Sequence, residues 1–159
     1  MRNDDEQNAI KETGIDASLP DPDDPSADPV AGVYFNNLSF SKLDWYLNAD
    51  TQIGQGIKNG DGTCSYRITV TLTNIMTQEA AGKLPDYVAA SAPDAARDDE
   101  RLNVSLFAPT GGNISDLTVE GTQFGLGAAT WHGIPFYSGT VDLHAGETTT
   151  IKYTLAKSA

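Results

Sequence analysis

One alternating run, at residues 64–74, constrains the fold more than any other part of the chain. It reads Cys-Ser-Tyr-Arg-Ile-Thr-Val-Thr-Leu-Thr-Asn. Successive side chains of an extended strand point to opposite faces, so the apolar residues of this run share one face and the polar residues share the other. β-Branched residues, which are frequent in it, favour a pleated sheet over a helix. The run predicts one long β-strand with a buried face, which carries Cys64, Tyr66, Ile68, Val70 and Leu72.

The residues before this strand predict a β-hairpin. Asn59-Gly60-Asp61-Gly62 consists of residues that tolerate a positive φ, which is typical of a tight turn. Residues 51–58 should therefore pair antiparallel with residues 63–74. A calcium-binding loop begins with a similar pattern, but the rest of that pattern is not completed in this sequence.

Other segments predict further strands, at residues 30–35, 43–47, 101–107, 116–120, 135–143 and 148–155. Residues 78–100 interrupt this series, and their alanines and prolines predict a long crossover with one or two helical turns, held to the core by Leu84, Tyr87 and Val88. Residues 121–133 are predicted to form a glycine-containing connection. About seven to nine short strands joined by turns predict an all-β, Ig-like antiparallel β-sandwich, with a jelly roll as the alternative topology.

The first 29 residues differ from the rest of the chain in composition. Residues 3–15 predict a short helix, with Asp4 as a candidate cap and Gly14 as its stop. Residues 19–29 contain four prolines and several aspartates, which predict an extended, solvated linker. We therefore expect an N-terminal helix and acidic Pro-rich linker at residues 1–29 and a β-sandwich domain at residues 30–159.

The charge of the chain excludes several kinds of partner. Its formal net charge is −12, and nucleic-acid affinity depends on lysine and arginine contacts to phosphate, so we expect no nucleic acid. Anionic membranes are disfavoured for the same reason, and no stretch is apolar enough to insert into a bilayer. The first thirty or so residues do not have the basic and apolar regions of a signal peptide. The chain as given would stay in the cytoplasm unless it is a fragment of an exported protein.

The residues with reactive or metal-binding side chains are few. His132 and His144 lie in different turns without partners at metal-ligand spacing, so we expect no metal site and no cofactor. Cys64 is the only cysteine, and its place on the apolar face predicts a buried thiol, with a bridge to a missing segment as the alternative.

An enzymatic function would have to use a group of acidic residues. These residues occupy a charged loop after the crossover, and they are Asp94, Asp98, Asp99 and Glu100. Carboxyl pairs catalyse glycoside hydrolysis when they face a substrate cleft. We therefore expect an enzyme only if two of these acids lie in a concave pocket, and we favour a solvated loop without catalytic residues.

Several spaced motifs resemble a known family. They are VYFNN at 33–37, KLDWYL at 42–47, VTLTN at 70–74, LPDYV at 84–88, FAPTG at 107–111, VDLHAGE at 141–147 and IKY at 151–153. In order and spacing they resemble the C-terminal region of a family of actinobacterial-type, Gram-positive cell-surface proteins that is known only as a domain of unknown function. The resemblance covers about residues 5–156.

This resemblance implies a setting rather than an activity. Members of the family are similar to membrane-anchored envelope proteins, with an N-terminal transmembrane helix and a large external part of which this chain would be the last piece. Met1 would then be an artificial start. We expect a non-enzymatic, extracellular structural or interaction module at the cell surface, whose partner is the preceding region of the same protein or another envelope protein.

The alternative function is a carbohydrate-binding module for cell-wall or surface glycans. Sugar-binding sandwiches use flat aromatic rings as stacking platforms, and Trp131 and Tyr137 are the candidate residues. This hypothesis expects the two rings to be exposed and coplanar.

Overall fold

The computed structural model describes residues 32–108, 112–120, 122–123, 127–131 and 133–157. The predicted N-terminal helix and linker, the boundary at residue 30 and His132 lie outside these residues. The strands are β1 (Gly32–Asn37), β2 (Leu47–Ile53), β3 (Ile57–Lys58), β4 (Cys64–Asn74), β5 (Glu100–Phe107), β6 (Asn113–Val119), β7 (Thr122–Gln123), β8 (Gly127–Trp131), β9 (Ile134–Leu143) and β10 (Thr148–Lys157). A 3-10 helix spans Leu43–Tyr46, and a short α-helix, α1, spans Gln78–Ala81.

The strands form two antiparallel sheets, which confirms the predicted all-β sandwich. A four-stranded sheet has the order β1-β5-β9-β8. A six-stranded sheet has the order β2-β4-β10-β6-β7, and β3 also pairs with β4. Because β4 pairs along its length with β10 on one side and with β2 and β3 on the other, it is an interior strand of this sheet.

The core lies between the two sheets and contains the predicted face of β4. Ile68, Val70 and Leu72 are fully buried there. Cys64, in contrast, is a free and only partly buried thiol, because it is the first residue of β4 and lies at the end of the sheet. The other fully buried apolar residues of this core include Leu102, Leu106 and Leu155.

The predicted hairpin is also confirmed. The backbone N–H of Asn59 donates to the carbonyl of Thr63 at 2.8 Å, and Gly62 has a φ of 88°. The carboxylate of Asp61 accepts from the backbone N–H of Thr63 at 3.0 Å and from its hydroxyl at 2.7 Å. These hydrogen bonds lower the pKa of Asp61. The tetrapeptide is therefore fully engaged as a turn.

One predicted strand and one predicted connection were wrong. Residues 43–47 do not form a strand, since Leu43–Tyr46 is a 3-10 helix that leads into β2. Leu43 and Trp45 would share one face in a strand, but in the 3-10 helix Leu43 is fully buried and Trp45 is 87% exposed. Residues 121–133, predicted as a connection, contain the strand β8 at Gly127–Trp131, which pairs with β9. The strand predicted at 116–120 begins earlier, at Asn113.

The crossover between β4 and β5 contains the predicted helical turn. The hydroxyl oxygen of Thr77 caps α1 by accepting from the backbone N–H of Ala80 at 3.2 Å. Leu84 is buried and Val88 is partly buried in a second small apolar cluster, as predicted. Tyr87 does not hold the crossover to the core, because its side chain is 74% exposed.

Candidate functional site

The outer face of the four-stranded sheet carries a group of large apolar side chains. Phe107 on β5 lies opposite Phe136 on β9; their ring centroids are 4.9 Å apart and their planes differ by 13°. The ring of Tyr34 on β1 meets the ring of Phe107 edge-on, with centroids 5.4 Å apart. Beyond Phe136, Trp131 on β8 lies opposite Ile134 on β9. We call these five residues the aromatic face.

The alternation of the strands explains why these rings point away from the core. Their neighbours Val33 and Phe35 on β1 and Tyr137 on β9 pack against the core cluster. Residues one position away point to the opposite face of a strand. Trp131 is therefore 56% exposed and Tyr34 is 41% exposed. Exposed apolar side chains grouped on one flat surface are a feature of interaction sites.

The structure does not bring Trp131 and Tyr137 together. Tyr137 lies opposite Ala128 on one side and Leu106 on the other, and it shares the core-facing side of the sheet with Leu106. Trp131 is three residues after Ala128, so it points to the outer side. The expectation of two exposed, coplanar rings is therefore not met by this pair.

The outer face becomes polar towards the other end of β5. The hydroxyl of Ser138 donates to the side-chain oxygen of Asn103 at 2.7 Å, and it lies 3.2 Å from the hydroxyl of Ser105. Further along, the Nε of Arg101 donates to the carboxylate of Asp142 at 2.8 Å. The aromatic face is thus bordered by a polar row and then by an ion pair.

The acids of the predicted charged loop have different surroundings. Asp94 is exposed, whereas Asp99 and Glu100 are buried, with 3% and 0% of their surfaces exposed. Asp98 accepts from the backbone N–H of Ala145 at 3.0 Å. Burial raises the pKa of Asp99, which lies 3.5 Å from Arg101. Four acids that are neighbours in the sequence therefore do not form one solvated loop.

The environment of Glu100 differs most from the solvated loop that the sequence predicted. It begins β5 and lies on the same side of that strand as Leu102, Leu106 and the core. A sequence signal for this burial exists, because Glu100 is two residues before Leu102 and so has the same parity as the apolar face. Because Glu100 follows three other acids, the sequence indicated a charged, solvated loop instead.

A depression of about 350 Å³ lies on another part of the sandwich. Its lining consists of Gly54, Gln55, Ile57, Ser65, Tyr66, Arg67 and Thr154. None of the four acids that an enzymatic function was expected to use contributes to it. This depression therefore does not supply the pocket with two acids that the enzyme hypothesis requires.

The described part of the chain provides neither a grouped set of metal ligands nor a membrane-spanning helix. No three or more His, Cys, Asp or Glu side chains among residues 32–108 and the later described segments are grouped to hold a metal ion. His144 lies exposed in the turn before β10. The helices of the same segments are all too short or too polar to cross a bilayer.

Comparison with known proteins found no matching family model, curated protein or solved structure. The fold and the surface together define an antiparallel β-sandwich with an exposed aromatic face.

Proposed function

We propose that this chain is a non-enzymatic interaction module of a bacterial envelope protein, held at the cell surface, and that it binds protein through its aromatic face. The observation that carries the proposal is the exposure of Trp131 (56%) and Tyr34 (41%) on either side of the stacked Phe107–Phe136 pair. Aromatic side chains dominate the binding energy of many protein interfaces, and a polar rim commonly surrounds them. The row of Asn103, Ser105 and Ser138 supplies such a rim.

The partner that we favour is the preceding region of the same parent protein. Gly32, the first residue of β1, lies directly opposite Phe107. The polypeptide therefore enters the described domain at the border of the aromatic face. A region that precedes residue 32 is tethered at this border, and the tether would raise the effective concentration of the two surfaces.

The arrangement of the rings favours protein over sugar as the ligand. A sugar stacks on an uncovered ring face. Phe107 and Phe136 are stacked, so each ring covers one face of the other. Tyr34 meets Phe107 edge-on. An apolar protein surface can fill the spaces between such rings with side chains of different shapes.

The proposal of a non-enzymatic role has its own support. Glu100 is turned into the core end of the sandwich, and Asp99 is 97% covered and lies beside Arg101. Neither group faces the depression at Arg67 and Tyr66.

Site-specific photo-crosslinking in the host cell tests the proposed function. A photoreactive residue at position 131 should form adducts with the preceding region of the parent protein. The matched control is position 152, since Lys152 is exposed on the outer face of the six-stranded sheet. Adducts from position 131 alone would support the aromatic face as the contact. Equal adducts from both positions, or none from position 131, would contradict it.

A carbohydrate-binding module is the second candidate function, and the exposure of Trp131 on a sheet surface favours it. NMR and tryptophan fluorescence with peptidoglycan fragments and other cell-wall glycans test it. The Trp45→Phe variant removes the signal of the other tryptophan, which is 87% exposed. We expect no localised change around Trp131. Saturable shifts at Trp131, Ile134 and Phe136 would instead establish glycan binding.

A further inference from the structure

A hydrogen-bond network at the far end of β5 from the aromatic face is centred on Asn37. The side-chain oxygen of Asn37 accepts from the backbone N–H and the hydroxyl of Ser39, both at 2.8 Å. These bonds fix the orientation of the amide, because a backbone N–H can only donate. Its nitrogen then lies 3.0 Å from the hydroxyl oxygen of Ser41 and 3.2 Å from carboxyl oxygens of both Asp44 and Glu100.

Two carboxyl groups from distant parts of the sequence therefore converge on one amide nitrogen. That nitrogen carries two hydrogens and has three oxygen neighbours, so it cannot satisfy all of them. Glu100 is fully buried, and its Oε2 has no hydrogen-bond partner. An ionised carboxylate that is buried without a donor on one oxygen is costly. A protonated carboxyl group, in contrast, becomes a donor and can bond a neighbouring carboxylate.

Among the residues that the structure describes, the charged groups that act on Glu100 are acids. Asp44 acts on it from the 3-10 helix and Asp99 from the preceding position, and both are acids. Arg101, the next residue along β5, has contacts with Asp94, Asp99 and Asp142 instead. Burial, and then repulsion by Asp44 and its hydrogen bond, raise the pKa of Glu100 to about 8.

We propose that a protonated Glu100 donates to the carboxylate of Asp44, and that this proton is a pH-sensitive latch that holds the loop at residues 38–46 onto the sandwich. Loss of the proton places two carboxylates around the Asn37 amide. The negative charges then repel each other, and this repulsion acts on the loop that carries Asp44.

The loop that the latch holds contains a strained residue. Phe40 has a φ of 51°, although its side chain is bulky, and it is 75% exposed. A positive φ is costly for such a residue and persists only where the surroundings enforce it. Here the carbonyl of Ser39 accepts from the backbone N–H groups of Ser91 and Ala92 at 3.0 and 3.2 Å. These backbone bonds and the Asn37 network both hold the loop that carries the exposed rings of Phe40 and Trp45, so the latch would make this end of the domain respond to pH.

NMR of the full chain between pH 6 and 9.5 tests the latch. The carboxyl carbon of Glu100 should titrate with a midpoint near pH 8. The amides of Ser39 and Leu43, which bond the side chains of Asn37 and Ser41, should shift with the same midpoint. A Glu100 carboxyl group that is already ionised at pH 6 would overturn the proposal.

Two variants separate the latch from a general effect of pH. Glu100→Gln keeps a donor for Asp44 at every pH, so the transition at Ser39 and Leu43 should disappear. Asp142→Asn changes an acid that pairs with Arg101 outside the network, so the transition should remain. The same transition in Glu100→Gln, or its loss in Asp142→Asn, would contradict a proton on Glu100 that bonds Asp44. The titration of the unmodified chain decides the question if Glu100→Gln does not fold.

Discussion

Gly32 lies directly opposite Phe107, and a Cβ atom at Gly32 would be 3.0 Å from the Cβ of Phe107. The same atom would be 3.3 Å from the ring of Tyr34. The missing side chain of Gly32 thus leaves the space that the rings of Phe107 and Tyr34 occupy. A backbone position at the edge of the sheet determines how the aromatic face is arranged.

Gly32→Ala should destabilise the fold by about 1 kcal/mol, because the new methyl group meets a Cβ atom that is fixed to the backbone. It should also change the near-ultraviolet circular dichroism of the stacked rings. Urea unfolding measures the first effect. Gly60→Ala is the matched control, since a Cβ at Gly60 would have no atom within 4 Å. Equal effects of the two variants would contradict the steric explanation.

Leu72→Ala should lower the free energy of unfolding by about 2–5 kcal/mol, because Leu72 is fully buried between the sheets. Thr71→Ala on the same strand, facing outward, should cost less than about 1 kcal/mol. Chemical denaturation of both variants measures the difference. Similar losses at the two positions would be inconsistent with the assignment of the buried face of β4.

Trp131→Ala and Tyr137→Ala should have opposite consequences, because the two side chains lie on different faces of the sheet. Tyr137→Ala should destabilise the domain by about 1–3 kcal/mol, since Tyr137 packs against the core. Trp131→Ala should reduce crosslinking to the partner from a photoreactive residue at position 34, on the same face, and change stability by less than about 1 kcal/mol. Thermal unfolding and the crosslinking yield distinguish them, and a large loss of stability only in Trp131→Ala would refute this placement.

The stability of the domain should fall as the pH rises from about 4.5 to about 8. Glu100 has an ordinary pKa of 4.5, and the folded state raises it to about 8. Within this window the folded chain holds a proton that the unfolded chain has lost, so each rise in pH favours unfolding. Below the window this contribution to stability is complete. Urea unfolding at several pH values should show the slope in the natural chain and a smaller slope in Glu100→Gln.

Much of the fold could be predicted because the side chains of a strand alternate between its two faces with a period of two. The buried face of β4 and the hairpin before it follow directly from residues 59–74. The alternation at residues 43–47 led to a wrong strand prediction, because these residues form a 3-10 helix that buries Leu43 and exposes Trp45. β8 was missed since Gly-Ala-Ala-Thr-Trp contains too few apolar residues to alternate.

The candidate site was harder to predict, since it depends on strand register. Only the pairing of Ala128 with Tyr137 shows that Trp131 points to the other side of the sheet. The convergence of Asp44 and Glu100 is also non-local, because residues 56 positions apart meet at the amide of Asn37. No spacing rule connects such residues before the sheets are assembled.

The most direct test of the interaction proposal compares NMR spectra of this chain alone and as part of a longer fragment of its parent protein. The amides of the aromatic face, around Tyr34, Phe107 and Trp131, should shift or lose exchange with solvent in the longer fragment. The outer face of the six-stranded sheet, around Thr71 and Lys152, should remain unchanged. Identical spectra at the aromatic face in the two forms would contradict our account.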